Sequence, residues 1–234
     1  NRILAIDNLN LNRQSLQEKG VQFFDSLPHY RLDADYLTIL DNILFSDDCI
    51  LESISVMNQP QKSQNHKAAL GLPRRHKIVF YAGPVGFLLA DMLTFVDQIF
   101  TNRHDFEYVR LQSHSLVRQD FLKQLVSADV IITYPGMTFW ESILLGAAPV
   151  LIETQSDVHD RLSSYLSSKT KFKYVAWNKD LPFEQMLLDG IEQSLFLDLS
   201  GWQAWRHKIQ SVSGPTSGLK KIATIVREMH NAIR

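Results

Sequence analysis

The sequence predicts an α/β protein built on a doubly wound parallel sheet, preceded by a partial second α/β domain. Short apolar, β-branched runs alternate with amphipathic helical stretches from about residue 76 onward, at the spacing of βαβ units. Glycines stand where several of these runs give way to helices. With 45% hydrophobic residues among 234, the chain can bury one large core or two modest ones.

The first 57 residues carry the pattern of a smaller α/β unit. Residues 2–7, RILAID, form a short apolar run that ends in aspartate, as buried parallel strands often do. Residues 33–40, DADYLTIL, hold a second candidate strand. Residues 46–59 have the pattern of a helix capped by its first serine or aspartate. We therefore expect a partial N-terminal domain over residues 1–57.

A change in composition marks the boundary between the two domains. Residues 58–77 contain five Lys or Arg residues and no acidic residue. The simplest interpretation is a solvated linker over 58–75, and a phosphate-facing segment is the alternative. The larger α/β domain is then expected over 76–234.

Strands and helices alternate regularly in the larger domain. The apolar runs predict strands over 77–83, 106–111, 129–134, 148–153 and 172–177. Helices are predicted where apolar residues recur three and four positions apart and where residues typical of helix ends occur. These stretches are 87–100, 115–128, 137–146, 156–168, 182–197, 200–212 and 216–232. This alternation implies crossover connections and a parallel sheet covered on both faces.

Composition excludes several classes of function. The 24 basic residues nearly balance the 25 acidic ones, so we expect no nucleic-acid partner. No apolar run reaches the roughly 18 residues of a membrane span. A single cysteine, Cys49, excludes an internal disulfide and fits a reducing compartment. No signal peptide is recognisable, so we expect a cytoplasmic protein. We also expect further sequence upstream of Asn1.

The eight histidines have no metal-binding spacing and no cysteine partner, so neither a metal site nor a cofactor is expected. His114 follows the predicted strand 106–111, and it is the histidine best placed to touch a ligand. A helix-capping or surface role is the alternative for His114. His159 lies between two aspartates and is expected to be solvated, with a role in a site as the alternative.

A glycine turn, Tyr134-Pro135-Gly136, joins the strand 129–134 to the next helix. In an open parallel sheet, ligands bind beyond the carboxyl ends of the strands. Glycine there lets the backbone approach a ligand, and the helix start favours a phosphate. Thr138 offers a hydroxyl, and Glu141, one turn further, can accept hydrogen bonds from a ribose diol. Alternatively, Gly136 only permits a tight turn and Glu141 lies on the solvent face.

A second glycine turn, YAGPVGF, follows the strand 77–83 and includes Gly83 and Pro84. It matches neither common phosphate-loop pattern, so alone it is a weak signal. Two glycine turns at strand ends of one sheet nevertheless predict a nucleotide crevice. A third stretch, residues 211–222, frames the last predicted helix with two glycines. It is either a cluster of N–H donors or an interhelical turn.

The stretch ADVIITYPGMTFWESILLGAAPVLIE resembles the nucleotide-binding signature of GT-B glycosyltransferases. More narrowly, it is similar to the peptidoglycan N-acetylglucosaminyltransferase and to the UDP-sugar hydrolase of the pseudaminic acid pathway. The likeness covers roughly residues 76–234. The signature positions are matched by Ala128, Asp129, Gly136, Thr138, Glu141, Gly146 and Pro149.

This resemblance implies the Rossmann-like fold of a GT-B C-terminal half and a UDP-like sugar nucleotide as partner. It implies transfer or hydrolytic release of the sugar, in bacterial surface-glycan biosynthesis, and it assigns Glu141 to the ribose. The expected nucleotide-sugar site consists of Gly83, Pro84, His114, Gly136, Met137, Thr138 and Glu141. No catalytic residue is assigned.

The sequence departs from the family pattern in several places, including the loop AGPVG, which lacks the polar side chains usual there. Pro135 replaces the first glycine of a Gly-Gly pair, which removes one N–H donor and restricts φ. Residues 1–57 also lack the glycine-rich loop that carries the hydrolase's catalytic histidine. A non-catalytic binding or interaction module with a degenerate GT-B-like fold is therefore the alternative function.

Overall fold

The computed structural model describes residues 3–6, 21–24, 48–49, 51–52, 75–83, 88, 90–112, 116–169, 172–177, 182–195, 223–224 and 226–228. The strands are β1 (Ile3–Ile6), β2 (Val21–Phe24), β3 (His76–Tyr81), β4 (Phe106–Leu111), β5 (Val130–Thr133), β6 (Ala148–Ile152) and β7 (Lys173–Val175). The helices are α1 (Ala90–Thr101), α2 (Arg118–Ser127), α3 (Met137–Leu145), α4 (Asp157–Lys169) and α5 (Phe183–Leu195).

Five strands form one sheet in the order β4-β3-β5-β6-β7, and every neighbouring pair is parallel. The prediction of a doubly wound parallel α/β sheet is therefore confirmed. Each of the five strands predicted after residue 76 is present within a few residues of its expected bounds, and β4 has the bounds the sequence predicted. The alternation of strand and helix patterns was sufficient to predict parallel pairing, because two parallel strands need a long crossover connection between them.

Two layers of helices cover the sheet. Ile78 and Phe80 of β3 face one apolar cluster, which includes residues of α1 and α5. Val79, between them, faces the other cluster, which includes residues of α2, α3 and α4. All four residues of β5 are buried. Side chains alternate along a strand, so burial on both faces requires apolar residues at successive positions.

The strand order places a switch point between β3 and β5. The chain leaves β3 through α1 toward β4, and it leaves β5 through α3 toward β6, in the opposite direction. The helices α1 and α3 consequently lie on opposite faces of the sheet. A crevice opens at such a point beyond the carboxyl ends of the strands. The two predicted glycine turns follow these two strands.

Asp129 ties the opposite, amino-terminal end of the same two strands. Its carboxylate accepts a hydrogen bond from the Lys77 backbone N–H at 2.8 Å. Its own N–H donates to the Lys77 carbonyl at 2.9 Å. This aspartate, part of the stretch that resembles the glycosyltransferase signature, therefore sets the register of β5 against β3 and lies away from the crevice.

Strands β1 and β2 form a separate two-stranded parallel sheet. The β1 strand was predicted, whereas β2 was not, since the four-residue run VQFF has no clear period. The strand expected in 33–40 lies outside the described residues, as do 58–74 and the helix expected over 200–212. Within the expected helix 46–59, the described residues are helical, and Cys49 packs in the cluster that contains α2 and α3 residues.

Candidate functional site

The ring of Tyr134, the first residue of the turn 134–136, lies against the glycines of both turns. An ideal Cβ built on Gly83 would be 2.7 Å from Cε1 of Tyr134 and closer still to its hydroxyl oxygen. A Cβ on Gly136 would be 3.2 Å from Cε2 of the same ring. Gly83 also has a φ of +71°, which side-chain-bearing residues rarely adopt. The Tyr134 ring therefore packs against both turns, and it requires Gly83 to lack a side chain.

Tyr134 belongs to a small aromatic group at the carboxyl edge of the sheet. Its ring is stacked on Tyr81 at 6.4 Å between centroids and tilted against His159 at 5.3 Å. Tyr134 is only 6% exposed, and burial, with a smaller contribution from Tyr81, raises the pKa of its phenol well above the usual range. The phenol is therefore neutral at physiological pH. Tyr134 could not be predicted as part of this edge, because its role depends on two loops that are distant in sequence.

Helix α3 begins at this edge with Gly136 as its N-cap, and no side chain caps it. Thr138 is buried, and Met137 is half-buried, in the first turn. The N–H groups of a helix's first turn point toward its start, where the helix dipole is positive. The start of α3 therefore offers donors and positive potential beside Tyr134 and Gly136.

Glu141, one turn into α3, forms an ion pair with Arg118, the first residue of α2. Nη1 of Arg118 donates to Oε2 of Glu141 at 3.3 Å, and Nη2 donates to Oε1. The Glu141 side chain is 5% exposed and that of Arg118 is 37% exposed. The alternative in which Glu141 lies on the solvent face is therefore wrong. Sequence spacing gave no reason to place Glu141 inside, since its partner is on another helix.

The burial of this carboxylate governs its electrostatics. Burial raises the pKa of Glu141, and the hydrogen bond and charge of Arg118 oppose that increase. Burial lowers the pKa of Arg118, but the hydrogen bond and charge of Glu141 outweigh burial and raise it. A buried carboxyl next to a cation that is always protonated is well stabilised only while both members are present.

Arg118 is a residue of this edge that was not predicted from the sequence. A signal was present in the sequence, since a cation at the first position of a helix faces the positive end of the helix dipole. Such a placement indicates that an acidic partner lies nearby. Only the packing of α2 against α3 identifies this acidic partner as Glu141.

His159 is buried, at 4% exposure, in the first turn of α4. The expectation that it is solvated is therefore wrong. The two flanking aspartates indicated a polar face, but the α4 helix turns His159 inward onto the Tyr134 ring. Burial lowers the pKa of His159 below its ordinary value near 6.5.

Replacing His159 with glutamine should make the protein less sensitive to acid. The folded state depresses the pKa of His159, so the unfolded chain binds more protons below about pH 6.5, and stability falls as the pH drops. One such proton contributes at most about 1.4 kcal/mol per pH unit. Urea unfolding at pH 7.5 and 5.5 should show a smaller difference for His159→Gln than for the wild type. The exposed His104→Gln is the control, and an unchanged pH dependence in His159→Gln would contradict this assignment.

The remaining predicted site residues, Pro84 and His114, lie outside the described residues. No group of His, Cys, Asp and Glu residues within the described ranges could hold a metal ion. An open cavity of about 330 Å³ lies elsewhere, between the 48–52 segment and α2, and is lined by Asp48, Leu51, Glu52, Gln119, Leu122 and Lys123. It does not include the glycine turns. Among the helices of the described part, none is long and apolar enough to cross a membrane.

Comparison with known proteins relates the chain to others through its fold. No protein-family model matches it, and no curated protein matches its sequence. Fifteen chains of solved structures do match, among them the crystal structure of the glycotransferase of kitacinnamycin, at 14% identity and a TM-score of 0.50. That match covers 66% of this chain but only 43% of the glycotransferase. The chain thus has a Rossmann-like α/β fold that it shares with a glycosyltransferase.

Proposed function

We propose that this protein binds a UDP-like sugar nucleotide at the carboxyl edge between β3 and β5 and takes part in transfer or hydrolytic release of the sugar. The observation that carries the proposal is the meeting of both glycine turns and the start of α3 at the switch point of the sheet. Crevices of this kind are the usual ligand sites of open α/β sheets. The shared fold with a glycosyltransferase supports the same class of ligand.

In this proposal, the diphosphate lies against the start of α3. The first-turn N–H groups and the helix dipole favour negative charge there, and Thr138 adds a hydroxyl donor. When the bond between sugar and diphosphate breaks, negative charge develops on the leaving diphosphate. Donors already fixed in place stabilise that charge without reorganising. Met137 and Glu141 stand in the same part of α3, and Gly83 lies behind the Tyr134 ring of the neighbouring turn.

The matched glycotransferase is more than twice as long as the region this chain shares with it. The proposal assigns no described residue as the group that accepts or donates a proton at the sugar. Turnover depends on that group, whereas binding of the nucleotide depends on the residues above. Nucleotide binding without turnover would indicate the non-catalytic module instead.

Calorimetric titration with UDP, UDP-N-acetylglucosamine and uridine tests the proposal directly. Thr138→Val should weaken UDP binding about tenfold and leave uridine binding nearly unchanged, because only UDP carries the diphosphate. Thr94→Val is the matched control, since its hydroxyl bonds a carbonyl on the exposed face of α1. Absence of heat with all three ligands at millimolar concentration would rule the proposed function out.

A further inference from the structure

We infer that Arg118 is the anion-binding side chain of this site and that Glu141 acts through it, as its positioning residue. The inference rests on the proposed function, because it names the group that meets the nucleotide's phosphates. It concerns a residue outside the expected nucleotide-sugar site, and it changes the role expected for Glu141.

The position of Arg118 places its charge beside the proposed phosphate site. Arg118 begins α2, which follows β4, so it lies at the same carboxyl edge as both glycine turns. Its guanidinium bonds Glu141, which follows Met137 by four positions and Thr138 by three. Residues at these spacings share a helix face and lie about one turn, or roughly 5.4 Å, apart along the axis. The guanidinium is therefore next to the first turn of α3.

Glu141 and Phe121 both contact the guanidinium, and Asp48 is a second acidic residue close enough to act on its charge. Both carboxylate oxygens of Glu141 accept hydrogen bonds from the guanidinium, whose central carbon lies 5.5 Å from the centre of the Phe121 ring. A carboxylate pair and an aromatic face each restrict the rotation of a long arginine side chain. Less conformational freedom is then lost when the guanidinium binds a ligand. This arrangement suits a planar donor that recognises phosphate oxygens.

Exposure distinguishes the two members of the pair. The Arg118 side chain is 37% exposed, whereas that of Glu141 is 5% exposed. A ligand that arrives from solvent meets the guanidinium first. The Glu141 carboxylate is almost fully covered, so a ribose diol that arrives from solvent has little access to it. A phosphate, in contrast, can bind Arg118 while Glu141 stays in place behind it. The nearer positive charge then dominates the interaction.

Four ligands separate the roles of phosphate, ribose and base: uridine, UDP, 2′,3′-dideoxy-UDP and inorganic pyrophosphate. Arg118→Met should weaken UDP and pyrophosphate binding about 10- to 100-fold and change uridine binding less than about twofold. Glu141→Gln should produce a smaller loss of the same kind. The ratio of UDP to dideoxy-UDP affinity should stay unchanged in both variants. Lys123→Met is the matched control, because it removes one positive charge from the exposed face of the same helix.

The outcomes distinguish this inference from the proposed function. Arg118-dependent pyrophosphate binding without uridine or UDP binding would overturn the nucleotide site and support the anion site. UDP binding that Arg118→Met leaves unchanged would overturn the role of Arg118 alone. A Glu141→Gln variant that loses the preference for UDP over dideoxy-UDP would restore Glu141 to the ribose. If neither UDP nor pyrophosphate binds, both are wrong. Arg118→Lys keeps the charge without the planar fork, so it tests the same point if Arg118→Met does not fold.

Discussion

Gly83→Ala should destabilise the protein by about 3 kcal/mol or more, through backbone strain and overpacking together. The new Cβ would force a left-handed backbone conformation on a residue that disfavours it, since φ is +71°. It would also overlap the Tyr134 ring, which lies within 2.7 Å of the ideal Cβ position. Urea unfolding monitored by circular dichroism measures the loss.

Gly136→Ala provides the matched comparison. Gly136 has a φ of −111°, which alanine adopts readily, and its Cβ would be 3.2 Å from the Tyr134 ring. We expect a loss of about 1 kcal/mol, from crowding alone. In a Tyr134→Ala background, the cost of Gly136→Ala should vanish, and Gly83→Ala should retain only its backbone strain. Equal losses of stability for the two glycine substitutions, or losses that do not depend on Tyr134, would show that the ring does not pack against both glycines.

Arg118→Met should destabilise the protein by about 3 kcal/mol at pH 8, because the buried Glu141 carboxylate loses its counter-charge. The double variant Arg118→Met/Glu141→Met should recover most of the loss, since two apolar side chains replace the whole pair. Urea unfolding of the wild type, the single variants and the double variant measures the coupling between the two residues. Additive losses would contradict a shared ion pair.

The loss in Arg118→Met should also depend on pH. Burial already raises the pKa of Glu141, and without Arg118 nothing in the pair opposes that increase. The folded state then holds a proton that the unfolded chain releases near its ordinary pKa. The contribution of Glu141 to stability is therefore greatest in acid and falls as the pH rises through the folded-state pKa. Arg118→Met should therefore be closer to the wild type at pH 5 than at pH 8. A constant difference at both pH values would show that Glu141 keeps another counter-charge.

The sequence by itself determined the five-stranded parallel sheet and the helices between its strands. Short apolar runs that alternate with helical patterns predicted β3 to β7, because this alternation favours parallel strands covered by helices. The helix over α3 was predicted at both ends, since Gly136 stands at its start and Gly146, with φ of 97°, closes it. These features are local: each depends on the residues within one element or one turn. The sequence therefore sufficed for them.

Only the tertiary structure decided how the site is assembled. Arg118 and Glu141 are 23 positions apart, and the residue pattern of neither helix indicates that the two helices meet. Tyr134 meets Gly83 because β5 pairs with β3, although β4 and two helices lie between them in sequence. His159 is buried because α4 turns it toward that same ring. Periodicity determines which face of an element is apolar, whereas strand order and helix packing determine which distant side chains face each other across the sheet edge.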